Sequence, residues 1–203
     1  INAVVDGDTV APAYATVTLG AGGLLGGAAG GTVAVSNSPT MEAGVGAGTV
    51  VDAGGVLSLE SDAYQRAQAD GLSAAGGLGV GVGVVLPSAT AGGSIRTHFD
   101  GDLLAADSVD VRSKVDASTR VDGRAGGGAL GAALASATVA ATTSPNVQTY
   151  VGGSADMTAT GDVTLASLVL TQADGRAGAV GFAAGASITD VTVNVTLAPQ
   201  VET

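Results

Sequence analysis

The sequence predicts an all-β protein, a β-solenoid resembling a parallel β-helix and built from about four repeats of ~53 residues. Three observations carry this expectation: a composition made of small residues, a long internal repeat, and period-two alternation inside each repeat. The whole chain, residues 1–203, reads as one repeat array with approximate units at 1–50, 51–102, 103–156 and 157–203.

Hydrophobic residues make up 46% of the chain, but there are 34 glycines, aromatics are 2% and tryptophan is absent. Large side chains supply most of the buried area in a globular core. A core of Ala, Val and Gly must instead be thin, with stability drawn from many small contacts and long hydrogen-bond ladders, which favours stacked sheets.

The repeat shows in several markers. Val51 to Leu59 recurs as Leu103 to Val111 and as Met157 to Leu165, placing Ala53, Ala105 and Ala159 at steps of 52 and 54 residues. Asp70-Gly71, Asp122-Gly123 and Asp174-Gly175 lie 52 residues apart. Seven residues beyond each of those glycines stand Leu78, Leu130 and Phe182, which the spacing predicts as stacked core positions. A looser marker is the proline at 39, 87, 145 and 199.

Within a unit, Val111, Ser113, Val115, Ala117, Thr119 and Val121 alternate with Arg112, Lys114, Asp116, Ser118, Arg120 and Asp122. Such alternation belongs to a strand with one buried face. The series beginning at Leu59 and at Val163 are its equivalents, so Val111 and Val163 join the expected core, with Gln65 the polar exception. In the last unit the outward series holds Leu168 and Leu170, too apolar for free solvent, and these are the expected self-association residues. The second half of each unit is Gly-rich, as in Gly76 to Val85. Repeated glycine argues against a helix, and Gly-Val alternation predicts a strand that another layer approaches closely, buried on both faces. Sequence leaves open whether a unit is one wide coil or two smaller ones. An antiparallel β-sandwich is the alternative, because Asp-Gly is also a hairpin signal.

Eighteen acidic residues against seven basic ones give a net charge of -11. Nucleic acid is excluded as a partner, since Lys114 is the single lysine and no basic patch exists. Cysteine is absent, which removes disulfides and thiolate metal sites. No apolar run is long enough for a membrane-spanning helix. The aromatics are too few for the girdles of an outer-membrane barrel, and the Asn/Gln ladders of an amyloid are missing. Ile1 is no initiator and no signal segment precedes the first unit, so the chain reads as an interior piece of a longer protein.

Ala159-Thr-Gly-Asp-Val-Thr-Leu165 and Gln148-Thr-Tyr-Val-Gly-Gly153 resemble motifs in the arrays of very large secreted bacterial adhesins, the filamentous-haemagglutinin-like and leukotoxin-type family. The resemblance implies a rod-like stalk exported through an outer-membrane pore, an extracellular or cell-surface location, and contact with a cell-surface or matrix receptor. It brings no catalytic residues.

Chemistry-bearing residues are sparse. His98 is the only histidine, has no thiol or second imidazole near it in sequence, and reads as an inert strand residue. Neither a Gly-x-Ser-x-Gly elbow nor a phosphate loop occurs, and the sequon at Asn194 is a chance-level pattern. Calcium is the one cofactor worth weighing, through Asp6-Gly-Asp8, Asp100-Gly-Asp102, Asp156 and Asp162. No EF-hand loop or calcium-roll nonapeptide is met, and aspartate beside glycine is first a turn signal. The expectation is therefore no cofactor, no catalysis, and a structural or adhesive repeat protein that self-associates into a rod or filament. The competing expectation is a parallel β-helix that binds or cleaves polysaccharide, or binds ice. Against it stand the dispersal of Arg66, Arg112, Arg120, Arg124 and Arg176 along the chain and the lack of a regular outward threonine ladder.

Overall fold

The computed structural model describes residues 12–203 and the backbone of residues 2–7. The described chain is all strand and connection. Its elements are β1 (Asn2–Gly7), β2 (Ala13–Gly23), β3 (Gly26–Asn37), β4 (Thr40–Val45), β5 (Val50–Asp52), β6 (Val56–Gly77) and β7 (Val80–Phe99). There follow β8 (Asp102–Ala106), β9 (Ser108–Ala129), β10 (Ala132–Val151), β11 (Asp156–Ala159), β12 (Val163–Ala183), β13 (Ala186–Leu197) and β14 (Gln200–Glu202).

All pairings are parallel. The first sheet has β1 and β2 side by side on β6, followed by β9 and β12. In the second, β3 and β4 lie along β7, followed by β10 and then β13 with β14. A narrow third sheet stacks β5, β8 and β11. The chain is thus a parallel β-solenoid, and the antiparallel sandwich is set aside. Each turn of the chain is one wide flattened coil: a long strand, a sharp corner, a second long strand and a short third side. At ~3.3 Å per residue the 22 residues of β9 extend about 70 Å.

Side-chain size tapers along the coil. Phe99, Leu57, Leu59, Leu103, Val109 and Val111 fill the end beside the short sheet. Ile95, Val115 and Val147 fill the middle, Val121 and Val139 follow among Ala67, Ala69, Ala89, Ala91 and Ala141, and Ala125, Ala135 and Ala137 come last with Val85. At the sharp corner only glycine fits: a Cβ on Gly81 would stand 2.5 Å from the Gly128 carbonyl oxygen, and one on Gly127 would stand 2.5 Å from that of Leu134. The cross-section is a wedge whose thin edge is backbone against backbone. This explains both the small-residue composition and the position of the Gly-rich tracts.

Those tracts differ from expectation in one respect. Gly81 and Gly83 face inward while Val80, Val82 and Val84 face outward, so β7 is buried on one face, and Val80 remains 48% exposed; Val85, after the change of phase, is the valine that enters the core. Val111 is a core residue as expected, stacked between Leu59 and Leu165. Leu78, Leu130 and Phe182 are not core. They are 54%, 63% and 72% exposed, because they lie at or beside the corner where the two sheets touch and leave no room inside. Val163 points inward over Val109 but is 47% exposed, since β12 is the last strand of its sheet here.

Register also separates Phe182 from Leu130, since Phe182 pairs with Gly128. Leu59 pairs with Val111, a step of 52, whereas Val111 pairs with Leu165, a step of 54. Asp122 therefore stacks on Asp70, but its partner on the other side is Arg176, while Asp174 lies beside Arg120. The additional two residues sit at one corner: Phe99 runs almost directly into β8, whereas Gly152 to Ala155 make a turn closed by Ala155 N–H donating to the Gly152 carbonyl at 3.1 Å. An even insertion leaves every side chain on its original face.

Candidate interaction surfaces

Three outer surfaces arise from this stacking. The first is the sharp corner. Leu24 and Leu25 are 80% and 89% exposed, and Leu78 and Leu130 continue the same corner position at successive levels. Backbone hydrogen bonds tie these levels together, Val80 N–H to the Leu25 carbonyl at 3.3 Å and Gly131 N–H to that of Leu78 at 3.2 Å. The result is an apolar ridge along the solenoid axis. Beside it lies a shallow hollow of about 540 Å³ between Leu130, Phe182 and the bare backbone of Gly128 and Gly181. The repeat spacing puts Leu78 and Leu130 inside because spacing alone carries no information on facing.

The outer face of the first sheet is the second surface. Arg66, Arg112, Arg120, Arg124 and Arg176, far apart in sequence, all project from it. The dispersal expected from sequence is thereby corrected, because in-register stacking gathers them. Asp110 holds Arg112 at 2.7 Å, and Asp174 holds Arg176 at 3.2 Å. Both oxygens of Asp122 accept from Arg124, at 3.2 and 3.3 Å. Asp70 accepts from Gln68 Nε2 at 3.0 Å. Asp70 and Asp122 are stacked carboxylates, but with each engaged by a neighbour they form a hydrogen-bonding array and not a free acid–base pair. Nearer the short sheet, Lys114 donates to Asp62 at 3.0 Å and lies 5.5 Å from the Tyr64 ring centre. Leu168 and Leu170 project from β12 beside Lys114 and Asp116, each 50% exposed, and no described segment covers them.

The second sheet carries the third surface. Ser36, Thr90, Thr142 and Thr196 occupy one outward column, so an outward hydroxyl ladder does exist, against the sequence expectation. Further along the same face Arg96 donates to Gln148 at 3.2 Å and Gln148 to Glu202 at 3.1 Å. His98 is 12% exposed, lies between Glu42 (3.5 Å) and Asp100 (3.4 Å), and stacks on Tyr150 with ring centres 5.4 Å apart. It therefore sits in a packed column of the outer face.

Of the calcium candidates, Asp6-Gly-Asp8 lies outside the described side chains. Asp102 and Asp156 are register partners. Among the described residues no three carboxylate or imidazole groups gather in a way that could hold a metal ion. No helix long and apolar enough to cross a membrane is present among them either. No family model, curated protein or solved structure matches this chain, and the three surfaces are read from their own geometry.

Proposed function

We propose that this chain is a rod-forming segment of an extracellular surface or matrix protein, with a structural and adhesive role and no catalytic one. The observation that carries the reading is the exposed ridge of Leu24, Leu78 and Leu130. Burying one such side chain is favourable by roughly 1.5–3 kcal/mol. A ridge repeated at each level multiplies that gain when two rods lie side by side, and contiguous apolar patches of this kind mark interaction sites. A second route runs along the axis. The outer edges of β12 and β13 offer the same parallel ladder that β9 and β10 use within the stack, and open edges template pairing. Further coils of the same protein or a second copy satisfy that edge equally.

An extracellular location and a cell-surface or matrix receptor are supported by the likeness of Ala159 to Leu165 to secreted filamentous adhesins. Sedimentation velocity with negative-stain microscopy tests the self-association. Wild-type protein is expected to form elongated, laterally paired particles, and Leu78→Lys with Leu130→Lys to give single rods of unchanged circular dichroism. Wild-type particles that stay single and compact at high concentration overturn the reading.

A further inference from the structure

We propose that the outer face of the first sheet carries a binding groove for a neutral polysaccharide chain, with Tyr14 as its aromatic platform. Two shallow hollows of about 480 and 340 Å³ adjoin there and share Gln68 and Arg120. Together they follow the strand direction from Asp116 to Arg124, about 26 Å at ~3.3 Å per residue. That length suits an extended oligomer better than a compact metabolite.

Register builds the groove. One row across the strands reads Tyr14, Gln68, Arg120 and Asp174, and the next reads Thr16, Asp70, Asp122 and Arg176. Tyr14 stands at the rim and lines neither hollow itself; it is 58% exposed, a flat apolar ring with a polar tip, and is the register neighbour of Gln68, which both hollows share. Arg120 is the exposed centre of the array. Among the described residues it makes no ion pair, unlike Arg124 and Arg176, so its fork of donors is open toward the groove.

The chemistry of the lining selects the ligand. Carboxylates accept, guanidinium groups donate, and the amide of Gln68 and the hydroxyls of Thr16, Thr18 and Ser118 do both. Sugar hydroxyls are also donors and acceptors at once, and the apolar face of a pyranose fits a tyrosine ring. An acidic polymer would instead meet Asp70, Asp116, Asp122 and Asp174 and the field of a chain of net charge -11. A peptide strand would seek an open sheet edge, and this face offers side chains alone. The proposal supplies a partner for the adhesive role and does not depend on self-association.

Calorimetric titration of the whole chain with cellohexaose, laminarihexaose, mannohexaose and a hyaluronan hexasaccharide tests it, with oligomeric state read separately by sedimentation. At least one neutral hexasaccharide is expected to bind with a Kd below about 1 mM. Tyr14→Ala and Arg120→Ala, both exposed and therefore compatible with folding, are each expected to weaken that binding about tenfold or more. Arg112→Ala, on the same face but beyond the groove, leaves it unchanged. Absence of binding by every neutral sugar at about 10 mM, binding indifferent to both groove variants, or binding of hyaluronan alone overturns the proposal.

Discussion

Thr149 Oγ1 donates to Ser113 Oγ across 2.8 Å inside the core, joining β10 to β9 within one coil. Ser113 in turn donates to Thr97 at 2.8 Å in the preceding coil, and Thr97 ends on the Arg112 carbonyl at 2.9 Å. In the other direction Ser167 donates to Thr149 at 2.8 Å, and Thr203 to Ser167 at 2.9 Å. A directed chain of hydroxyls thus threads the stack and crosses between facing sheets at every level. Apolar packing is tolerant of sliding, whereas a hydroxyl chain has one register in which every donor finds an acceptor.

Breaking that chain removes short buried bonds and leaves the neighbouring hydroxyls on longer ones, Thr149 to the Ala166 carbonyl and Ser167 to that of Glu202, both at 3.4 Å, which costs about 1–3 kcal/mol for each site. Ser113→Ala is expected to lower unfolding free energy by an amount in that range, and Thr149→Val by a similar one. The double variant is expected to lose less than the sum, because the groups share one bond. Chemical denaturation of the four proteins measures the coupling, and strict additivity contradicts the shared chain.

The thin edge of the wedge makes a different demand. A methyl group at Gly81 meets the Gly128 carbonyl oxygen, and neither backbone can retreat without breaking its ladder. Gly81→Ala is expected to destabilise by about 1–3 kcal/mol or more, the usual cost of overpacking. Gly178→Ala meets nothing within 4 Å and is expected to be neutral or slightly stabilising. Melting temperatures of the two variants distinguish a packing requirement from a general need for flexible residues.

Lys114 gives the fold an alkaline dependence. Its hydrogen bond to Asp62, a weaker one to Tyr64 and the attraction of the Asp62 carboxylate together outweigh desolvation and hold the ammonium above its ordinary value of 10.5. A raised folded pKa means the contribution is complete below that ordinary value and vanishes as pH climbs through the raised one. The stability difference between wild type and Lys114→Met is expected to be constant from neutral pH up to the lysine range and to shrink beyond it. The site is open to solvent, so added salt reduces the difference throughout. A difference that grows with alkalinity contradicts the assignment.

Sequence revealed the architecture because period-two alternation and a long repeat are both written in one dimension. The Val111 to Val121 series announces its buried face unaided. The candidate surfaces were less legible because they depend on register between strands half a hundred residues apart. Two residues inserted after Val151 leave every face intact yet move Asp174 from the Asp122 row to the Arg120 row. Spacing alone therefore pairs Phe182 with Leu130 and Asp174-Gly175 with Asp122-Gly123, reads three Asp-Gly pairs that lie inside β6, β9 and β12 as turns, and treats five arginines of one face as scattered. The hydroxyl chain had a readable signal: Ser61, Ser113 and Ser167, like Thr97, Thr149 and Thr203, recur at 52 and 54 residues with inward parity.

Gln65 is the one inward position where pattern and chemistry disagree, and it yields a prediction of opposite sign. Its side chain is fully buried, stacks on Ala117, and neither amide atom has a hydrogen-bond partner among the described residues. Ala63 and the stacking partner Ala117 belong to the apolar cluster of Ile95, Val115 and Val147, and the nearby buried amide of Asn37 donates elsewhere, to the Arg66 carbonyl at 3.0 Å. An unpaired amide in such surroundings carries its desolvation penalty in full, about 1–3 kcal/mol by mutational measure. Methionine has a similar length and flexibility and no hydrogen-bonding demand. Gln65→Met is therefore expected to raise unfolding free energy by an amount of that order, and Gln65→Ala to gain less because it opens a cavity. Thermal melts of both variants, with far-ultraviolet circular dichroism to confirm the unchanged fold, check the order. A methionine variant less stable than wild type would show that the amide is paired in solution and that this level of the core is polar by design.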